Sequence, residues 1–344
     1  MNILMITNMY PNKSKPYFGR FVFETQKNIQ KKHHVEIIGE KNSNSRWLRI
    51  IDYILLFIRI LLKQKKYDCL YFHYPTRTSI PLLFLKNQCF ILNFHGTDLS
   101  DKSKLNQLLV HLLSKRWKNA KLIVVPSEYL GEKIKEKVNL DYVVSPSAGV
   151  PDFFFESKLS NSRNEKCFYL SSITEDKGAF DLCEAIILLQ KRNFYFEVDF
   201  YGTSDKVSLE KLNYYMALSN GYIKYKGHIE HVNIPKKLSS YKLHIFPSKN
   251  ESLGLVGIES LSIGVPVLGP NLPSTVSYVK DNYNGLIFTP GNIDDLANKI
   301  FLCYNDEKLY QKILENCRES VMEYKQSQVG TLLNKKITDV LTNI

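Results

Sequence analysis

The 344-residue chain has no C-x-x-C pair, no G-x-G-x-x-G loop, no D-x-D stretch and no run of eighteen uncharged apolar residues. Six scattered cysteines (Cys69, Cys89, Cys167, Cys183, Cys303 and Cys317) fit reduced, mostly buried thiols, not a disulfide framework. Zinc is not expected either: His228 and His231 are close in sequence, but no cysteine or carboxylate completes a ligand set. Without a long apolar run, no transmembrane helix is expected. The opening MNILMITNMY has no basic stretch ahead of its apolar residues, so it reads as a first strand and not as a signal peptide. A cytoplasmic location is the expectation. The missing glycine fingerprint after that strand counts against a dinucleotide-dependent dehydrogenase. Neither repeats nor low-complexity tracts are visible.

What is present is an ordinary globular composition, 44% hydrophobic and 23% charged, at a length that suits two domains. The net charge of +12 suits phosphorylated substrates or an anionic membrane surface. The lysines are dispersed and not interleaved with aromatics, so no nucleic-acid partner is expected. Strands and helices alternate along the chain, which makes the fold class α/β.

The most informative stretch is LHIFPSKNESLGLVGIESLSIGVPVLG, Leu243 to Gly269. It reads as strand, loop, helix, strand. Ser252 is placed to cap a helix from about Leu253 to Ile263, Gly264 to end it, and Val265 to Leu268 to form the next strand. The helix start, with its unpaired amides and partial positive charge, suits an anion such as a diphosphate. Gly254 and Gly257, lacking side chains, would let a ligand approach the backbone. Glu251 and Glu259, were both helical, would stand about 12 Å apart along the axis. Paired glycosidase carboxylates stand only about 5–9.5 Å apart, so two hydroxyl-bearing ends of one long ligand suit them better. Spacing alone leaves open a plain dipole-favouring glutamate followed by an exposed one.

Glu251, seven residues, then Glu259, after Pro247-Ser248 and before Gly264-Val265-Pro266-Val267, resembles the signature of the GT-B retaining glycosyltransferases of family 4. The likeness continues elsewhere. His95-Gly96-Thr97-Asp98 is similar to the family's H-G-x-D element. Pro146 to Asp152 is similar to its N-G-V-D hinge, with alanine for asparagine. Asn284 to Phe288 is similar to its N-G-x-L-F strand, although Thr275-Val276-Ser277 stands where a glutamate is usual. Residues 171–178 resemble its G-R-x4-K-G loop, with Ser171 and Ser172 in place of the glycine and arginine.

This resemblance implies two Rossmann-like α/β/α domains facing a central cleft. Residues 1–155 would form the acceptor side, 165–325 the donor-binding domain, and a helix in 326–344 would pack back on the first. It implies transfer of a sugar from a nucleotide-diphosphate sugar to a hydroxyl of a saccharide or lipid-linked saccharide, with retained configuration, no cofactor and no metal. Lys177, His95 and Glu251 would be catalytic. Gly19, Ser172, Lys177, Ile229, Glu251, Gly254, Leu255, Val256 and Glu259 would hold the donor, with Glu259 on the ribose and Glu251 on the sugar. Asp98 would lie on the acceptor side. Losing the loop arginine at Ser172 removes a charged hydrogen bond of roughly 1.5–3 kcal/mol unless Arg20 or another cation replaces it. An epimerase or phosphorylase on the same fold, or a catalytically degenerate sugar-nucleotide-binding protein, remains open.

The stretch RWLRIIDYILLFIRILLK, Arg46 to Lys63, is the second informative one. Arg46, Arg49, Asp52, Arg59 and Lys63 fall on one narrow stripe of a helix and the rest is apolar. Such a helix is either buried by its own domain or lies in a membrane interface. Burial is the first expectation, since strand three follows directly. The alternative is peripheral attachment to the inner face of the cytoplasmic membrane, helped by Lys65 and Lys66. With the basic charge, it favours a lipid-linked saccharide of an envelope polymer as acceptor.

Overall fold

The computed structural model describes residues 1–11, 18–39, 46–85, 88–96, 103–157 and 163–342, with the backbone alone for Arg46. The chain forms two compact units, Met1–Gly149 with Gln326–Ile344, and Val150–Lys325.

The first unit is a parallel sheet of β1 (Asn2–Thr7), β2 (His34–Gly39), β3 (Cys69–His73), β4 (Phe90–Asn93), β5 (Leu122–Val125) and β6 (Tyr142–Val144). The strand order is β2-β1-β3-β4-β5-β6. Its central strands are unbroken apolar runs because helices cover both faces. Val22 and Ile29 pack on one face with Leu333 and Ile337 of the C-terminal helix Gln326–Thr342. That helix sits close: a Cβ at Gly330 would stand 2.7 Å from the Asn28 side chain, and Asn334 Nδ2 donates to the Asn28 carbonyl at 2.6 Å. The other face is covered by Leu56, Ile60, Leu113, Trp117 and Ile134.

The helix Arg46–Lys63 overturns the expectation of burial. It buries Asp52, Leu56 and Ile60, a single stripe at four-residue steps, and leaves Trp47, Ile51, Ile54, Leu55, Ile58 and Leu62 exposed. Two charged residues of the stripe, Asp52 and Lys63, lie on the side turned towards the domain, where Lys63 donates to Glu36. The apolar face is therefore the outer one.

The second unit is a parallel sheet of β7 (Cys167–Leu170), β8 (Val198–Tyr201), β9 (Ile223–Gly227), β10 (Leu243–Ile245), β11 (Val267–Pro270) and β12 (Gly285–Phe288). The order β12-β11-β10-β7-β8-β9 reverses direction between β7 and β10. Such a reversal opens a crevice at the carboxyl ends of the two strands, where open α/β sheets take ligands.

Three local features differ from the sequence reading. A helix over Lys206–Leu218 was not foreseen; it buries only Leu212 and so has little apolar periodicity, though Asp205 caps it through Ser208 N at 2.8 Å. After Asp306 the chain forms a helix, Glu307–Asn316, and then a 3-10 turn, Glu319–Tyr324, not one continuous helix. Arg318 holds the break by donating to the carbonyls of Ser157, Ser262 and Ile263 at 2.7–2.9 Å. The helix after Glu251 runs Leu255–Ile263 and starts from Gly254 in the left-handed region (φ 78°), with no side-chain cap.

Candidate active site

In the second unit, the loops leaving β7 and β10 meet at the reversal point. Gly178 takes φ 65°, and a Cβ there would lie 1.9 Å from the Pro247 carbonyl oxygen, so the loops touch backbone to backbone. Lys249 N donates to Asp176 O at 2.9 Å and laces them further. On this frame Lys177 Nζ donates to Glu251 Oε1 at 2.5 Å, joining residues 74 positions apart. Glu251 is well shielded and Lys177 about one-third exposed. Ser274 Oγ fixes the Glu251 carbonyl at 2.9 Å.

The helix Leu255–Ile263 starts four residues after Glu251. Its first-turn amides, those of Leu255 and Val256 included, have no acceptor within the helix, as at any helix start. Tyr278 Oη donates to Gly254 O at 2.8 Å and holds the left-handed cap. A Cβ on Gly257 would stand 2.5 Å from Tyr278 Oη and 2.8 Å from the Phe246 ring, and one on Gly254 would meet the same two side chains. On the Cβ side both glycines are filled by protein side chains.

Glu259, one turn on, is buried, and its Oε1 lies in a hydrogen bond of 2.7 Å with His231 Nε2. His231 in turn lies 5.0 Å from the Phe154 ring. Sequence reading weighed His231 only as a metal ligand; no local signal links it to a glutamate 28 positions away. Ile229 follows Gly227 in the bend after β9 and packs partly buried against the core. The Ser172 side chain is exposed, while its carbonyl accepts from Tyr169 Oη at 2.8 Å. Lys249 is a second cation of the loop pair. Its amine sits 2.9 Å from Asp181 and 3.9 Å from Glu175, and the bond to Asp181 raises its pKa.

In the first unit, Gly19 precedes the helix Arg20–Gln30 with φ 70°, and a Cβ there would lie 2.6 Å from the Met9 carbonyl. Arg20 is engaged by Glu24 at 2.7 Å. His95 follows β4 and is buried among rings: Phe21 at 4.7 Å, Tyr74 at 4.5 Å and His73 at 5.1 Å between centroids. His73 Nδ1 and His95 Nε2 share a hydrogen bond of 2.9 Å. Burial lowers the pKa of both, that of His95 to about 3. His73 was missed by sequence reading, which looked only at the H-G-x-D element. Asp98 lies outside the described residues. Among the described residues, no group of three or more His, Cys, Asp or Glu side chains is placed to hold a metal.

Residues 151–320 match the family described as glycosyl transferases group 1. Among curated proteins, the chain is 26% identical over 163 residues to the capsular polysaccharide biosynthesis glycosyltransferase CapM of Staphylococcus aureus, covering 47% of this chain and 42% of that one. It is 24% identical over 169 residues to the N,N'-diacetylbacillosaminyl-diphospho-undecaprenol alpha-1,3-N-acetylgalactosaminyltransferase of Campylobacter jejuni, covering 49% and 43%. The match thus spans less than half the length of either relative. In fold it is similar to Anabaena HepE, solved in complex with UDP, with a TM-score of 0.78 over the whole of both chains at 17% identity.

Proposed function

For a chain of the GT-B glycosyltransferase superfamily, we propose that it transfers a sugar from a nucleotide-diphosphate sugar to a hydroxyl of a saccharide or lipid-linked saccharide, with retained anomeric configuration and without a catalytic metal. One observation carries this reading: Lys177 and Glu251 paired at the reversal point of the second sheet, four residues ahead of a helix start. The amine and the amides of Gly254, Leu255 and Val256 supply positive charge where the departing diphosphate develops negative charge. Glu251 takes hydroxyls of the donor sugar as Lys177 turns to the phosphates. Glu259, held by His231, takes the ribose hydroxyls, and Ile229 edges the base. Gly19 gives a backbone approach to the phosphates, and His95, with Asp98, positions the sugar and the incoming hydroxyl. Ser172 adds no charge, so Lys177 carries that load. The relatives in capsule and diphospho-undecaprenol chemistry support a saccharide or lipid-linked acceptor, and the outward apolar helix supports work at the anionic inner face of the cytoplasmic membrane.

The test is incubation with a panel of UDP- and GDP-sugars, with and without saccharide and lipid-linked acceptors. Acceptor-dependent release of nucleoside diphosphate, unchanged by EDTA, supports the reading. Conversion of donor alone points to an epimerase, and binding without turnover with any acceptor points to a degenerate binding protein.

A further inference from the structure

The first unit contains a cavity of about 830 Å³, a volume ordinary for a small-molecule site. Ile50, Ile54 and Phe57 of the outward-facing helix form one wall, and Phe84, Leu105 and Leu109 close it. Among the described residues, the lining carries two charges, Arg49 and Arg77, and no carboxylate. The cavity adjoins the carboxyl edge of the first sheet. Tyr53, in its wall, accepts a hydrogen bond at 3.2 Å from Asn8, the residue after β1. Thr78, also in its wall, donates to the carbonyl of His73 at the end of β3. Arg77 stands three residues from Tyr74, whose ring packs on His95.

We propose that this cavity holds the hydrocarbon chain of a phosphate-headed lipid acceptor, with Arg49 and Arg77 on the phosphate. The inference rests on the reading that the chain glycosylates a lipid-linked acceptor, and it names where the lipid goes. An apolar cavity whose described lining carries two cations and no carboxylate complements an amphipathic anion. A second copy is a poorer occupant, because a two-fold contact sets the same cationic patch on both sides of the interface. The surrounding surface fits the same ligand: Trp47 is 77% and Leu62 74% exposed, so the helix continues the cavity's apolar character outward.

Dodecyl phosphate, used below its micelle concentration, is the probe, titrated calorimetrically into the full chain beside dodecyl maltoside and inorganic phosphate. Dodecyl phosphate is expected to bind at least about tenfold more tightly than the maltoside, and inorganic phosphate not measurably, because chain burial and charge both contribute. Leu109→Trp, which fills the cavity, and Ile54→Glu, which sets a carboxylate at its exposed mouth, should each weaken dodecyl phosphate about tenfold. Ile54→Glu serves if Leu109→Trp does not fold. Equal binding of the maltoside, or undiminished binding by the folded variants, overturns the proposal. So does a dimer in light scattering that Ile54→Glu dissociates. Titration of UDP and GDP into the unaltered protein tests the donor reading separately: lipid binding without nucleotide binding sinks the enzyme reading and leaves the cavity assignment standing, and the converse does the opposite.

Discussion

Nδ1 of His73 lies 2.9 Å from Nε2 of His95, and the two rings are stacked within 13° of parallel. One imidazole must donate and the other accept, and burial favours the neutral form of both. Nε2 of His73 is buried and has no partner among the described residues. Through this bond His73 holds the tilt of His95. Replacing His95 with Ala should lower turnover about 100-fold, the scale of a misplaced reacting group, while donor affinity stays within a factor of three. His73→Leu should lower turnover in the same direction by a smaller factor. Steady-state kinetics beside nucleotide titration separates the two quantities; an equal fall in donor affinity would contradict a role on the sugar.

The buried histidines give a pH dependence of stability. His95 and His244 are lowered to about 3 by burial, and His73 is also lowered. An unfolded histidine titrates near 6.5, so below that pH the unfolded chain binds protons that the folded one refuses. Stability from these groups is present above about pH 6.5 and lost as pH falls towards 3. Each contributes about 1.4 kcal/mol per pH unit in that window. Both ring nitrogens of His244 are buried between Phe168 and Phe246 without a partner among the described residues. His244→Leu should remove about 2 kcal/mol of the loss between pH 7.5 and 5.0. Denaturant melts at the two pH values check it, and parallel losses in both proteins would count against it.

Lys177 pairs with Glu251, so a diphosphate must draw the amine away from a carboxylate. A charge-assisted hydrogen bond contributes about 1.5–3 kcal/mol. Lys177→Met should therefore weaken nucleoside diphosphate binding about 10- to 100-fold. The nucleoside alone, lacking phosphates, should bind both proteins alike. A matching loss for the nucleoside would mean that the loop has collapsed.

Glu259 and His231 form one polar unit at 2.7 Å. Glu259→Gln should weaken nucleoside diphosphate binding about tenfold, and His231→Ala by less, since it only orients the carboxylate. A 2′-deoxy nucleotide should distinguish the variants little. If Glu259→Gln weakens ribo and deoxy nucleotides equally, the ribose role fails.

Gly257 is needed for packing. A methyl there must fit 2.5 Å from Tyr278 Oη and 2.8 Å from Phe246. Gly257→Ala should destabilise the protein by about 1–3 kcal/mol, the range for overpacking, and displace Gly254 with it. Thermal melts decide: full stability with lost nucleotide binding would support the ligand-approach reading.

The sequence by itself determined what is local. The apolar runs at the start of the chain, at Leu243 and at Val265 to Leu268 read as strands, because a strand buried on both faces needs only such a run. Gly254 and Gly264 sit at the two ends of the helix after Glu251 because both ends are left-handed, and glycine adopts that conformation without a Cβ clash. The resemblance in the order of Glu251, Glu259 and the following G-V-P-V was likewise a property of neighbours. The tertiary structure alone decided what depends on partners far along the chain: the pairing of Lys177 with Glu251, of Glu259 with His231, and of His95 with His73. It also decided the sense of the helix Arg46–Lys63. A helix apolar on most sides shows no preferred inner face, so only the packing of Leu56 and Ile60 on the sheet turned its remaining apolar residues outward.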